Sequence, residues 1–400
     1  MNIDIIKSKL RKNFAPVVLA LRDFKVSNSF DEQLLRNKIL KAVSEIDDNP
    51  YLEMQHNREF MPDGLNQNTL LEINNTCNID CLMCKTSLST RKKTKMSKSV
   101  LTAVLDRLSE EGIKKVALHT IGDPLANPRL ELVLQELRNR NIKTALSTNG
   151  LLLDRHIDTI LKYTDVCNAV RFSIDGATKE KYEKIRSGGN WEDLLRNLDL
   201  AKSKLVTKGV VTSIAITLSK DNLNEVGKFI VKFRDYLRYP HQDFSFSLIN
   251  SLSPDNKYFN EYNPFPIHTY KNIKCDQIID NKLTILVNGE TTSCCRDYNG
   301  DLITGNILIN SKDQIFKGRQ MTRLREAHSN NDLSNFPLCD TCFTVDERVG
   351  NVINSALSLV IKLHPREIAE FYQNISDQLC EIFEKPGPYK QKLSGLLSSI

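Results

Sequence analysis

Three thiols within eight residues, Cys77, Cys81 and Cys84, are the side chains of this chain best arranged to do chemistry. Their C-x3-C-x2-C spacing follows the apolar run Leu70-Leu71-Glu72-Ile73, so they sit on the loop that leaves a strand. Three thiolates on one short loop can hold three irons of a cubane cluster and leave the fourth without a protein ligand. An iron with an open position can bind a substrate or cofactor, which a four-thiolate site cannot easily do. A second group lies far downstream: Cys275, the adjacent Cys294 and Cys295, and the C-x2-C pair Cys339 and Cys342. Two separated cysteines plus such a pair make a four-thiolate site, for which zinc and an iron–sulfur cluster are both acceptable on spacing alone. Cys167 and Cys380 read as ordinary buried residues.

The elements that must position these groups follow from periodicity. From about residue 68 to 250 the pattern alternates strands and helices. Strands are expected at 69–74, 114–119, 142–147, 168–174, 209–217 and 243–249, with helices at 98–111, 128–140, 154–162, 191–205 and 221–236 between them. Such βα repetition gives a parallel sheet covered by helices, and six strands are too few for a complete eight-stranded barrel. Ligands then gather at the carboxyl ends of the strands. Those ends carry Gly122-Asp123-Pro124, Ser147-Thr148-Asn149-Gly150 and Ser173-Ile174-Asp175-Gly176, with Asn222 after the fifth strand and His119 at the end of the second.

Residues 1–65 read as a helical extension, with a capping box at Ser29 and Glu32. After residue 250 several prolines mark a linker. Leu283–Val287 then reads as a strand entering a hairpin at Asn288-Gly289. The tail from 352 to 400 is helical, with an apolar stripe at Ile368, Phe371, Ile375, Leu379 and Ile382 that Pro386-Gly387-Pro388 ends. The expected division is therefore 1–65, a core at 66–255, a smaller unit at 256–348 and a tail at 349–400.

Composition narrows the class. The 400 residues are 40% apolar and 26% charged, with a net charge of +6 and ten cysteines. No apolar run reaches the roughly 18–20 residues that cross a membrane. Charges inside the first residues argue against a secretion signal. Ten cysteines in such a chain point to a reducing cytoplasm and to metal ligation rather than disulfides. Basic residues are not interleaved with aromatics, so nucleic acid is not an expected partner.

The cysteine triplet, Gly122-Asp123-Pro124, Ser147-Thr148-Asn149-Gly150 and Ser173-Ile174-Asp175-Gly176, in this order, resemble the radical S-adenosylmethionine (SAM) superfamily over about residues 68–250. The resemblance implies an α/β fold, a partial (β/α)6 barrel, with Cys77, Cys81 and Cys84 holding a 4Fe–4S cluster whose fourth iron is chelated by SAM. Gly122, Asp123 and Pro124 resemble the family's Gly-Glu-Pro motif, whose backbone meets the SAM amino group, with Asp in place of Glu. Ser147, Asn149, Ser173 and Asp175 fall where the family contacts the SAM carboxylate and ribose. Met83 stands where an aromatic residue often precedes the third cysteine. Residues 270–345 resemble the C-terminal SPASM/twitch domains, which implies a second 4Fe–4S cluster on Cys275, Cys294, Cys339 and Cys342. Cys294 is preferred to Cys295 for its spacing from Gly289. With no further cysteine between Cys342 and Cys380, one auxiliary cluster is expected.

What the resemblance implies is a radical SAM oxidoreductase of dehydrogenase or epimerase type. It would take hydrogen from a polar small molecule, of sugar or aminocyclitol kind, through a 5′-deoxyadenosyl radical, while the auxiliary cluster exchanges the second electron. A flavodoxin or ferredoxin would be the electron donor, and the basic run Arg91-Lys92-Lys93-Thr94-Lys95 is either its docking site or a solvated loop. Two other readings stand beside it: a maturase acting on a peptide or protein, and a non-catalytic metal-binding protein. Tyr182, Arg186 and Gly188-Gly189 resemble a segment of SPASM-type enzymes, without an assigned role.

Overall fold

The structure, a computed structural model, describes residue 37 and residues 69–249, 257–263, 275–279, 282–340, 342, 347–367 and 369–384. The helical reading of 1–65, most of the linker after 250 and the break at Pro386-Gly387-Pro388 lie outside the described residues.

Six parallel strands succeed one another across the sheet in chain order: β1 Thr69–Leu71, β2 Lys115–Leu118, β3 Lys143–Thr148, β4 Cys167–Ser173, β5 Val211–Leu218 and β6 Phe244–Leu248. The helices on their outer face are α1 Lys98–Glu110, α2 Leu130–Asn139, α3 Leu153–Lys162, α4 Lys179–Ile185, α5 Trp191–Leu200 and α6 Val226–Phe233. Strand alternation decides which side chains meet the helices. On β5, Thr212, Ile214, Ile216 and Leu218 are buried outward, which turns Val211, Ser213, Ala215 and Thr217 to the concave side. The helices answer with matching stripes, Leu101, Val104, Leu105 and Leu108 on α1 and Leu130, Val133, Leu134 and Leu137 on α2. Ser97 caps α1 by accepting the Val100 N–H.

The barrel stays open because the free side of β1 is taken by another strand. β7, Thr284–Ile285, pairs in parallel with β1, and β8, Glu290–Thr292, and β9, Ile303–Asn306, continue antiparallel beyond it. The result is one nine-stranded sheet in the order β6-β5-β4-β3-β2-β1-β7-β8-β9. The hairpin turn expected at Asn288-Gly289 is present, with Gly289 at φ +85°. Two C-terminal helices, α7 Glu347–Leu363 and α8 Ala369–Glu384, lie against the far side. Asn354 of α7 accepts the Phe246 N–H at 2.8 Å and so covers part of the exposed edge of β6. Ser376 of α8 accepts the Gly227 N–H at 2.7 Å.

Candidate active site

The three thiols and most of the strand-end groups singled out above line one cleft of about 1030 Å³ at the carboxyl ends of the strands. Asn222 is buried outside its lining and donates to the Asp175 and Thr217 carbonyls, each at 2.9 Å. Cys77, Cys81 and Cys84 share the cleft with Gly122, Asp123, Ser147, Asn149, Ser173 and Asp175. Pro124 starts a short helical turn just behind it and is buried.

The cysteine loop is held by its neighbours. Asn74 donates from its side chain to the carbonyls of Thr76 at 2.8 Å and Asp123 at 3.0 Å, and Asp123 N–H donates to Thr76 O at 2.9 Å. The Gly122 turn passes so close that a Cβ there would lie 2.4 Å from Asn74 O, which only glycine avoids. On the other side, Asp80 N–H donates to Ser187 O and Leu82 N–H to Ile185 O, both at 2.9 Å. The segment of Tyr182, Arg186 and Gly188-Gly189 thus backs the cysteine loop, a role that side-chain types alone did not reveal. Met83 packs with Ile249, Tyr258, Phe259 and Tyr262.

Asp123 and Asp175 line the cleft with oxygens already engaged by the protein. The Asp123 carboxylate accepts from Leu125 N–H at 2.9 Å, Thr148 hydroxyl at 2.9 Å and Asn149 N–H at 2.7 Å. It therefore fixes the end of β3 against the Gly122 turn, and burial raises its pKa despite these donors. Asp175 accepts Thr217 N–H at 2.7 Å and pairs with Arg186 at 2.6 Å. Asn149 turns its amide toward the cysteine loop, 2.9 Å from Asn78 Oδ1 and 3.7 Å from Cys77 Sγ. The hydroxyls of Ser147 and Ser173 have no protein partner among the described residues.

The electrostatics of the loop suit a cationic occupant. Burial pushes Cys77 upward and Cys81 up to about 12, opposed at Cys81 by Arg186 and reinforced by Cys84, Asp175 and Cys77. Left to themselves these thiols keep their protons at pH 7, and iron would displace them. Arg186 Nη1 lies 3.6 Å from Cys81 Sγ, so that thiolate would have a donor beside it, whereas the Thr86 hydroxyl, 3.0 Å from Cys84 Sγ, donates to the Ile121 carbonyl. Burial works against the Arg186 charge, but Asp175 and Cys81 outweigh it and hold its pKa above the usual value.

The downstream cysteines repeat this arrangement. Burial raises Cys275 to about 11, and it raises Cys294 and Cys339 further, with mutual repulsion adding at each. Arg296 is half-buried with its Nη1 3.6 Å from Cys342 Sγ. Asp297 accepts the N–H groups of Gly300, Asp301 and Leu302, which shapes the loop after the adjacent cysteines. Cys295, which lies close to Cys294 and Arg296, also lines a lumen inside the sheet. Among the described residues no three His, Cys, Asp or Glu side chains converge tightly enough to grip a single ion. That spread is compatible with clusters, in which each thiolate holds a different iron.

The basic run divides. Arg91 forms a two-pronged pair with the buried Glu72, 2.7 Å on each prong, and donates to Tyr298 O at 2.9 Å. Glu72 also accepts from Thr120 hydroxyl at 2.7 Å and Val287 N–H at 3.3 Å. Arg91 is thus a strap between the cysteine loop and the β7–β9 segment, while Lys92 and Lys93 are exposed. The charge inside the apolar run Leu70-Leu71-Glu72-Ile73 was the available signal for it.

The sequence profile of the Radical SAM superfamily matches residues 71–232, and that of an iron–sulfur cluster-binding domain, SPASM, matches residues 275–343. A probable GTP 3′,8-cyclase of Methanococcus vannielii is 29% identical over 164 residues, 40% of this chain and 54% of that protein. The mycofactocin maturase MftC of Mycobacterium tuberculosis is 27% identical over 159 residues, 40% of this chain and 39% of that protein. The chain thus spans about half or less of the length of these curated relatives. The structure titled native anSMEcpe with bound AdoMet superimposes with a TM-score of 0.51 at 17% identity, covering 78% of this chain and 99% of that one, a likeness of fold. The two matched domains imply a SAM-binding 4Fe–4S cluster and an auxiliary cluster, which the two sets of half-buried free thiols fit. This chain thus carries a Radical SAM domain at residues 71–232 and a C-terminal SPASM iron–sulfur cluster-binding domain at residues 275–343.

Proposed function

We propose that the chain is an oxidoreductase that removes hydrogen from a polar small molecule held beneath SAM, with the auxiliary cluster exchanging the second electron. Cys77, Cys81 and Cys84 would hold the first cluster, and Cys275, Cys294, Cys339 and Cys342 the second. SAM held at the first cluster would supply, on one-electron reduction, the radical chemistry for removing hydrogen. The protein's part is orientation and exclusion of water.

One observation carries this reading. A lumen of about 1480 Å³ inside the sheet adjoins the cleft at the strand ends, with His119 and Ser147 lining both. Gln277, Thr284 and Cys295, from the C-terminal segment, form the wall of that lumen. A substrate in the lumen would lie between the SAM cleft and the peptide that carries Cys294, which suits abstraction at one end and electron loss at the other. Cys294 is the better ligand because its neighbour Cys295 faces the lumen. The four-thiolate site has no open iron, so electron exchange fits it better than substrate ligation.

A flavodoxin or ferredoxin would deliver the electron in the cytoplasm, with the exposed Lys92 and Lys93 as part of its landing surface. The maturase reading draws support from the likeness to mycofactocin maturase and differs in predicting a peptide product.

Anaerobic reconstitution with iron and sulfide counting tests the base of the proposal, with about eight irons per chain expected for two cubanes. A colourless protein that binds zinc alone would falsify it. With a substrate containing deuterium at the attacked carbon, deuterium should appear in 5′-deoxyadenosine. Transfer from a peptide and from no small polar molecule would favour the maturase.

A further inference from the structure

The register of the sheet stacks the side chains of the lumen in tiers. Ala117, Ala145, Ala169 and Val211 pair across β2 to β5 and form one tier of small residues. The next tier toward the cleft is Ser147, Arg171 and Ser213, paired in the same way. On β4 the neighbours of Arg171, Val170 and Phe172, are buried outward, which leaves the arginine on the concave face with Ala169 and Ser173. Small neighbours leave it standing in open space, and it lines the lumen.

Arg171 has no carboxylate, carbonyl or ring partner among the described residues. Partial burial lowers its pKa, with no acid opposing that effect. The lining contains one acid among the described residues, Asp243, whose Oδ2 accepts the Tyr239 N–H at 3.0 Å. Lys115 and Lys282 add positive charge to the lining. His119 has a buried Nδ1 without a hydrogen-bond partner. Burial, then the nearby Arg171, push the His119 pKa down to about 4, so the imidazole is neutral at pH 7 and can offer one N–H. Arg171 is exposed to the lumen with no protein counter-charge among the described residues, so its charge is available to a ligand. Its planar fork matches the geometry of a carboxylate or phosphate.

We propose that Arg171, with His119 beside it, anchors an oxyanion of the substrate, so that this enzyme acts on a small molecule bearing a carboxylate or a phosphate. This rests on the reading above that the lumen holds the substrate beneath SAM. Arg171 precedes Ser173 by two residues on the same strand face, about 7 Å lower at the usual strand rise. The carbon that loses hydrogen therefore lies several bonds from the anionic group.

Calorimetric titration of the reconstituted full chain, with SAM present, tests the anchor. Inorganic phosphate and malonate are the two anionic probes, and myo-inositol is the neutral one. At least one anion should bind saturably, the stronger of the two identifying the group, and myo-inositol should not reproduce it. Arg171→Gln should weaken the anion about tenfold or more, as loss of a charged fork does. Ser213→Asp, which sets an acid opposite Arg171 in the same register, should abolish binding even if the first variant folds poorly. Unchanged anion affinity in either folded variant, or no binding of both anions by the wild type, overturns the anchor. Reductive SAM cleavage by dithionite reads the parent proposal separately. Cleavage without Arg171-dependent binding sinks the anchor alone, whereas Arg171-dependent binding without cleavage upholds the anion site and sinks the radical chemistry.

Discussion

Arg186 and His119 show how single side chains set the properties of the cleft. Arg186 is shared between Asp175 and Cys81, and its removal leaves a buried carboxylate without its counter-charge. Arg186→Met should cost about 3 kcal/mol of stability, measured by chemical denaturation. It should also lower the reduction potential of the first cluster, because a positive donor beside a ligating thiolate favours the extra electron. An unchanged potential in a folded variant would remove Arg186 from that role. His119 makes a pH prediction with a definite sign. Its pKa falls from 6.5 to about 4 on folding, through burial first and Arg171 second. As pH drops below 6.5 the unfolded chain takes the proton first. The contribution to stability is thus whole above pH 6.5 and is lost between 6.5 and 4, by at most about 3 kcal/mol. His119→Gln should flatten that part of the stability–pH curve.

Loops and helices hold the site by close approach of backbone, and the glycines mark where. A Cβ on Gly122 would meet Asn74 O at 2.4 Å, a contact with backbone that no side-chain rotation relieves. Gly122→Ala should push the Gly122 turn off the cysteine loop, costing about 2 kcal/mol and weakening SAM binding in equilibrium dialysis. Gly227 gives the matching test away from the site, since a Cβ there would lie 2.2 Å from Tyr372 O of α8. Gly227→Ala should loosen α8 by a similar amount while leaving the iron count unchanged. Equal iron loss in both variants would mean that the two regions unfold together. Element placement was legible in the sequence: all six parallel strands and α1, α2, α3, α5 and α6 fall close to the periodic runs that announced them. α4 was not read, because its seven residues, KEKYEKI, offer only Tyr182 and Ile185 as apolar positions.

At the scale of the whole molecule, Glu72 is the junction. It gathers Arg91, Thr120 and Val287, from the cysteine-loop strap, the end of β2 and the end of β7. Glu72→Gln should destabilise the protein by about 3 kcal/mol or more, because Arg91 then loses its counter-charge in a half-buried setting. Limited proteolysis should cut first near the β7–β9 segment, and a wild-type pattern would argue against the strap. Cys339→Ala with Cys342→Ala should halve the iron, leave reductive SAM cleavage intact and stop net oxidation of substrate. Product formation at the wild-type rate would end the electron-acceptor role.

Residue type and spacing alone determined the alternating strands and helices, the grouping of the thiols and the polar strand ends, because each depends on local periodicity or on a short motif. Tertiary structure decided what those groups do to one another. Cys295 lines the lumen and also lies close to Cys294 and Arg296, a proximity that spacing alone does not give. The engagement of Asp123 and Asp175 by the protein, the strap from Glu72 to Arg91 and the position of Arg171 opposite Ser213 all join residues far apart in the chain. Alternation on β4 already put Arg171 on the face away from Val170 and Phe172. That this face lines a lumen with one acid among the described residues depends on five strands and a C-terminal hairpin meeting around it, which no single stretch of sequence contains.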